Sequence, residues 1–220
     1  VELAELGLAI ALFLFSHSLT NRPGFRRRAE ARLGGKLGFI LAYSVLSLAL
    51  LAWIVAAYRA APVVLLWEQA AWMRWVPPVA MLPGCVLLAG GMVSANPFSI
   101  GPGGKGFDPA RPGLLRLTRH PVLWGLALWA AAHIVPNGDV GALMVFLPLL
   151  GLALVGPRIL DAKRRAGLGW SEWARLAALT GRPRWAMITE MGVWRLLAGP
   201  ALWAILVAGH EMVIGASPLP

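Results

Sequence analysis

Long apolar stretches recur along the chain, separated by polar connectors rich in arginine, proline and glycine. A helix rises 1.5 Å per residue, so about 20 predominantly apolar residues cross the ~30 Å hydrocarbon layer of a bilayer. The pattern predicts six such segments, at 3–19, 37–58, 76–95, 114–135, 140–155 and 194–216. The fifth is short, and the fourth carries Arg116, Arg119 and His120 in its first third. Confined to 121–135, the fourth helix would cover roughly 22 Å. The fourth and fifth segments would then pair as a short or partly re-entrant hairpin across Pro136-Asn137-Gly138-Asp139. The connector 156–195 is too long to be only a link. Within it, 170–179 sets Trp170, Trp173, Leu176 and Ala177 against Glu172 and Arg175 at helical spacing, which predicts an interfacial amphipathic helix. No internal repeat is visible.

Composition agrees with a membrane class. Of 220 residues, 58% are hydrophobic and 14% charged, against about 25% charged in an ordinary soluble domain. A disordered chain lacks this apolar content. The net charge of +10 would raise nucleic acid as a partner in a soluble protein, but the placement of the charges gives another meaning. Lys and Arg number six in 21–36, four in 96–119 and eight in 156–195, against two in 59–75 and none in 136–139 or the C-terminal tail. Basic residues stay on the cytoplasmic side, so both termini are expected outward, in the periplasm. The basic clusters Arg26-Arg27-Arg28 and Lys163-Arg164-Arg165 then face anionic lipid headgroups, and nucleic acid is not an expected partner. Glu2 and Glu5 stand where a cleavable signal would carry basic residues, so none is expected. The single cysteine, Cys85, lies in an apolar run and reads as a small buried hydrophobe.

The chemistry concentrates between Asp108 and Asp139. Ionisable side chains in a spanning segment are costly and suggest a functional site. His120 precedes Pro121, which suits the first turn of a helix. Arg119, His120 and the opening amides therefore gather where anions are favoured; the plainer alternative has Arg119 snorkelling and His120 capping. His133 lies four residues after Trp129 and eight after Gly125, on a face of small residues. It bonds a neighbouring helix or serves as a metal or haem ligand. His120 and His133 are 13 residues apart, about 20 Å along a helix and about 140° around it, so they cannot share one iron. By depth, His17 pairs with His120 and His133 with His210. GPGGKG lacks the GK[ST] ending of a phosphate-binding loop, and no H-E-x-x-H, C-x-x-C or G-x-S-x-G occurs.

The strings NPFSIG, FDPARPG and TRHPVLWGLALWAAAHIVPNGD, with SHS at 16–18, RLG at 32–34, YSVLSL at 43–48 and APVVLLW at 61–67, resemble the NnrU family of bacterial inner-membrane proteins. The resemblance is densest over 1–165 and vaguer beyond Arg165. It implies a multi-span protein of the bacterial inner membrane, linked to nitrite and nitric oxide reductase expression in denitrification. The family is also similar to the 15-cis-zeta-carotene isomerase, a membrane enzyme with haem b. That similarity implies His17, within SHS, and His133, within WAAAH, as iron ligands. Ala130 stands where the isomerase pattern has a cysteine. The span boundaries put His17 and His133 about 10 Å apart in depth, so either those boundaries shift by about two turns or another pair holds the iron. The string RHP-x3-G also resembles membrane methyltransferases of the isoprenylcysteine and phospholipid type, which bind S-adenosylmethionine.

The expectation is therefore one all-α polytopic membrane domain over 1–220, a bundle of about six transmembrane helices. Its amphipathic helix lies within 156–195 and its last span at 194–216. The resemblance implies haem b between helices, with iron on His133 and His17. Trp129 and Trp124 would line an apolar pocket for a polyene or pigment, and Arg119 with His120 would anchor an anionic group such as a haem propionate. One alternative is a methyltransferase with Arg119, His120 and Asp161 around S-adenosylmethionine. Another is a non-enzymatic subunit or assembly factor bound to other membrane subunits.

Overall fold

The computed structural model describes residues 2–20 and 22–220; Val1 and Asn21, the latter heading the first basic connector, lie outside the described residues, as does the side chain of Pro23. The described residues form α1 (Glu2–Thr20), α2 (Pro23–Arg32), α3 (Lys36–Ala60), α4 (Val76–Val93), α5 (Pro121–Ile134), α6 (Val140–Leu168), α7 (Trp170–Ala177), α8 (Ala186–Met191) and α9 (Val193–Ile214). Short 3-10 turns sit at Ala71–Trp75 and Gly113–Arg116. The chain is an all-α membrane helix bundle. Among the described residues, five segments are long and apolar enough to cross a bilayer: Glu2–Thr20, Lys36–Ala60, Ala71–Val93, Val140–Leu168 and Val193–Ile214. On α3 only 11% of the most apolar window is buried within the protein. Val45, Leu48 and Leu37 stand exposed there, a side-chain layer that suits lipid rather than water.

Contacts within the chain gather into two units. One comprises the residues up to Glu68 together with Gly138–Val145. Here Leu6, Ala9, Ile10 and Phe13 recur at helical spacing and bury one stripe of α1, and α1 packs on α3. Arg26 pairs with Glu30 at 2.8 Å on α2 and lies over the Phe39 ring. The backbone N–H of Leu66 donates to the Gly138 carbonyl and that of Val140 to the Val64 carbonyl. The Asp139 carboxylate accepts the Ala142 N–H at 2.9 Å, starting α6 as a cap.

The other unit holds Gln69–Asn137 and Phe146–Pro220. At its centre α4 packs on both α5 and α9. The helices meet through glycines: a Cβ on Gly125 would fall 2.9 Å from the Gly84 carbonyl oxygen, and one on Gly199 would fall 2.7 Å from the Val86 Cα. Such small residues let helix backbones approach in a membrane, where van der Waals packing carries much of the association. Trp203 on α9 donates its indole N–H to the Pro78 carbonyl at 2.9 Å, tying it to the start of α4.

Two sequence expectations change. The fourth segment is not one helix over 114–135; α5 starts at Pro121 and its 14 residues cover about 21 Å. Pro121 lacks an N–H and its ring would strike the Leu117 carbonyl, while His120 is pushed out of helical geometry to φ −123°, ψ 56°. The fifth segment does not stop at 155. α6 runs 29 residues through Pro148 and Pro157 to Leu168, about 43 Å, and ends before Gly169 at φ +82°. The expected short hairpin thus has one short arm and one long one. The amphipathic helix is α7, with Leu176 buried and Trp170 exposed.

Candidate functional site

The first site begins with the rigidity of α5. His133 donates from Nδ1 to the Trp129 carbonyl, one turn back on the same helix, at 2.8 Å. With that nitrogen carrying the proton, Nε2 keeps its lone pair. The imidazole stacks on Phe146 at 5.3 Å between centroids, and Trp129 meets Phe146 edge-on at 5.3 Å. The Asn137 amide donates to the His133 carbonyl at 2.7 Å and closes the end of the helix. These groups line a cavity of about 760 Å³, together with Cys85 of α4 and Trp203 and His210 of α9. The His210 Nδ1 donates to the Ala216 carbonyl at 2.7 Å, so the second imidazole on this cavity has the same tautomer. Sites for small ligands typically measure about 300–1,000 Å³.

Trp124 does not share this cavity. It is 46% exposed and lines a separate apolar groove with Leu87, Leu128, Leu150 and Leu154. Five residues separate Trp124 from Trp129, about 140° around a helix, so the expected common pocket for the two tryptophans cannot form. His17 lies on α1, in the other unit. Its Nδ1 bonds the Phe13 carbonyl at 2.9 Å, and its ring packs against Phe13 and Tyr43.

The second site surrounds the start of α5. Arg119 reaches Asp161 of α6 through Nη2 at 2.9 Å and donates from Nη1 to the Thr180 hydroxyl at 2.9 Å. The Asn96 amide fixes the Arg119 carbonyl at 3.0 Å. His120 lies 3.0 Å from Asp161 through Nε2 and is only 3% exposed. Burial pushes its imidazole below the ordinary histidine range, outweighing the opposing pull of Asp161. The neutral ring donates Nε2–H to the carboxylate, and Nδ1 is left buried without a hydrogen-bond partner. Its side chain does not cap α5. The anion held by Arg119 and His120 in this structure is therefore Asp161.

Arg119, His120 and Asp161, the three residues suggested by the methyltransferase resemblance, do come together. Sequence reasoning missed Thr180, and it missed Glu190, which binds Arg116 at 2.7 Å. Both are distant in sequence from the RHP string, and neither stands in a motif.

No curated protein and no solved structure matches the chain. A family model described as NnrU protein matches residues 5–218, well past Arg165 and through α9 with His210, and the chain belongs to that family.

Proposed function

We propose that this NnrU-family membrane protein binds haem b in the cavity beside His133 and acts on an apolar polyene. The supporting observation is the anchored imidazole: Nδ1 is committed to the Trp129 carbonyl, and Nε2 is the nitrogen left for a ligand in the cavity that His133 lines. The donor set fits the group. A neutral imidazole is a preferred axial ligand for haem iron, and Trp129, Phe146 and Trp203 offer flat apolar walls to a macrocycle. When bound, haem supplies a reversible electron shift that would let a polyene double bond pass between cis and trans.

The chain's own residues orient and exclude. The Trp129 carbonyl holds the His133 ring through Nδ1, and the Asn137 amide fixes the His133 backbone at the end of the helix. The Gly125–Gly84 contact brings α5 close to α4, which carries Cys85 into the lining. The apolar walls keep water from the substrate. The same reading assigns the protein to the bacterial inner membrane, with the basic connectors on the cytoplasmic side and both termini outside.

The test is haem titration of the detergent-purified chain followed by absorbance. Wild type develops a saturable Soret band, and His133→Ala loses it or shifts it to a five-coordinate form. His17→Ala and His210→Ala then identify the second ligand, through loss of the low-spin spectrum in one variant but not the other. No Soret band after loading, or a spectrum indifferent to His133→Ala, overturns the proposal.

A further inference from the structure

The last basic turn of α6 carries Asp161, Arg164 and Arg165 at i, i+3 and i+4, which puts all three on one side of the helix. Asp161 is taken by Arg119 and His120; the two arginines are not matched by further carboxylates among the ion pairs of the described residues. Arg164 donates from Nη2 to the Ser99 carbonyl at 3.3 Å, but its Nε is buried without an acceptor. Ser99 is 2% exposed, and its hydroxyl is also without a partner. The Trp173 ring lies 4.9 Å from the Arg165 guanidinium and 5.5 Å from that of Arg119, and its buried indole N–H has no acceptor. One small region thus gathers three guanidiniums, one carboxylate and three orphaned donors.

A buried donor left unpaired keeps the full cost of its lost hydration. Neutral acceptors would satisfy these groups singly, whereas one anion with several oxygens satisfies them together and meets the excess positive charge. The adjoining α7 presents exposed Trp170 and a polar face, as a helix lying in a headgroup layer does.

We infer that Arg164, Ser99 and Trp173 form a built site for a phosphate group, that of an anionic phospholipid headgroup. It is independent of the haem cavity, and its test does not require haem. Arg165 and Arg119 flank the indole and supply the field, while Arg164 and Ser99 supply directed bonds.

The full chain is purified in a neutral detergent and its thermal unfolding followed by tryptophan fluorescence. The probes are phosphatidylglycerol and phosphatidylcholine in mixed micelles, inorganic phosphate, and S-adenosylmethionine. Phosphatidylglycerol raises the melting temperature saturably, and phosphatidylcholine does so less. Arg164→Gln weakens the apparent affinity about tenfold or more, as expected for loss of a charged hydrogen bond. Lys163→Gln, which removes the same charge next door but none of the directed bonds, weakens it less than Arg164→Gln does. Ser99→Ala weakens it by a smaller factor and serves should Arg164→Gln fail to fold. An Arg164-dependent shift with inorganic phosphate alone supports the site and assigns it to free phosphate. Equal weakening by Arg164→Gln and Lys163→Gln, equal shifts from both lipids, or no shift from any phosphate probe overturns the inference. So does a shift from S-adenosylmethionine alone, which points to a carboxylate-bearing cofactor.

Discussion

Replacing Glu190 by Gln removes the charge that pins α8 to the turn Gly113–Arg116, just ahead of the RHP string. The carboxylate accepts from Arg116 Nη2 at 2.7 Å and Nε at 2.8 Å, and from the Gly113 N–H at 3.0 Å. The two side chains are 18% and 11% exposed, so water screens the pair only in part. Breaking a buried pair costs about 3–5 kcal/mol, and an exposed one about 0–1 kcal/mol. This geometry lies between, at about 2–3 kcal/mol, because Gln keeps one acceptor for Gly113. In a chain of this size each kcal/mol moves the melting temperature about 2–4 °C, so Glu190→Gln lowers it by about 4–12 °C at pH 7. Hydrogen bonds from Arg116 hold the Glu190 carboxyl below the usual carboxylate range. Its stabilisation is therefore full above the unfolded value, near pH 4.5, and fades as pH falls through the lower folded value. The gap between wild type and variant narrows in that acid window. Fluorescence-detected melting in detergent from pH 7 to pH 3 measures it. A shift under 1 °C at pH 7, or a gap that stays constant into acid, refutes the electrostatic origin. So does a coupling below about 0.5 kcal/mol in the cycle with Arg116→Gln.

Other outcomes follow from the same geometry. Gly125→Ala drives a Cβ to 2.7 Å from the Leu88 side chain and 2.9 Å from a backbone oxygen, and overpacking of this kind costs about 1–3 kcal/mol. Gly151→Ala, with nothing within 4 Å, does not destabilise, and equal melting of the two variants would contradict the close crossing of α4 and α5. Burial favours the neutral form of His120, so its contribution is present above the ordinary histidine value and is lost as pH falls from there toward the lower folded value. His120→Gln flattens the loss of melting temperature between about pH 7 and pH 5, and an unaltered profile would count against a buried neutral ring. In cells, with Cys85 replaced by Ala, an impermeant maleimide labels Ser217→Cys but not Arg27→Cys; the reverse pattern inverts the assigned topology.

The length of the apolar runs alone located the membrane segments, because a span is a property of some 20 consecutive residues and tolerates errors at its ends. The ends depended on single residues. Pro121 sets the start of α5 by local sterics and was legible as an alternative start. The extension of α6 to Leu168 was not, because Arg158, Asp161 and Lys163 break the apolar run and make the stretch look like connector. The separation of Trp124 from Trp129 follows from 140° of helical rotation and could have been read directly. Asp161 was singled out only through the methyltransferase resemblance, because its meeting with Arg119 and His120 spans about 40 residues of sequence and spacing alone cannot supply such a contact. Thr180 and Glu190 gave no pattern at all, since each acts through one long-range bond.

The central claim is that His133 presents its Nε2 to haem iron in an apolar cavity. A reduced-minus-oxidised absorbance spectrum of the chain, extracted from its own membranes without added haem, tests it most directly. The prediction is a b-type spectrum in wild type that disappears in His133→Ala at equal protein levels. A featureless wild-type spectrum, or the same spectrum in both proteins, would contradict it.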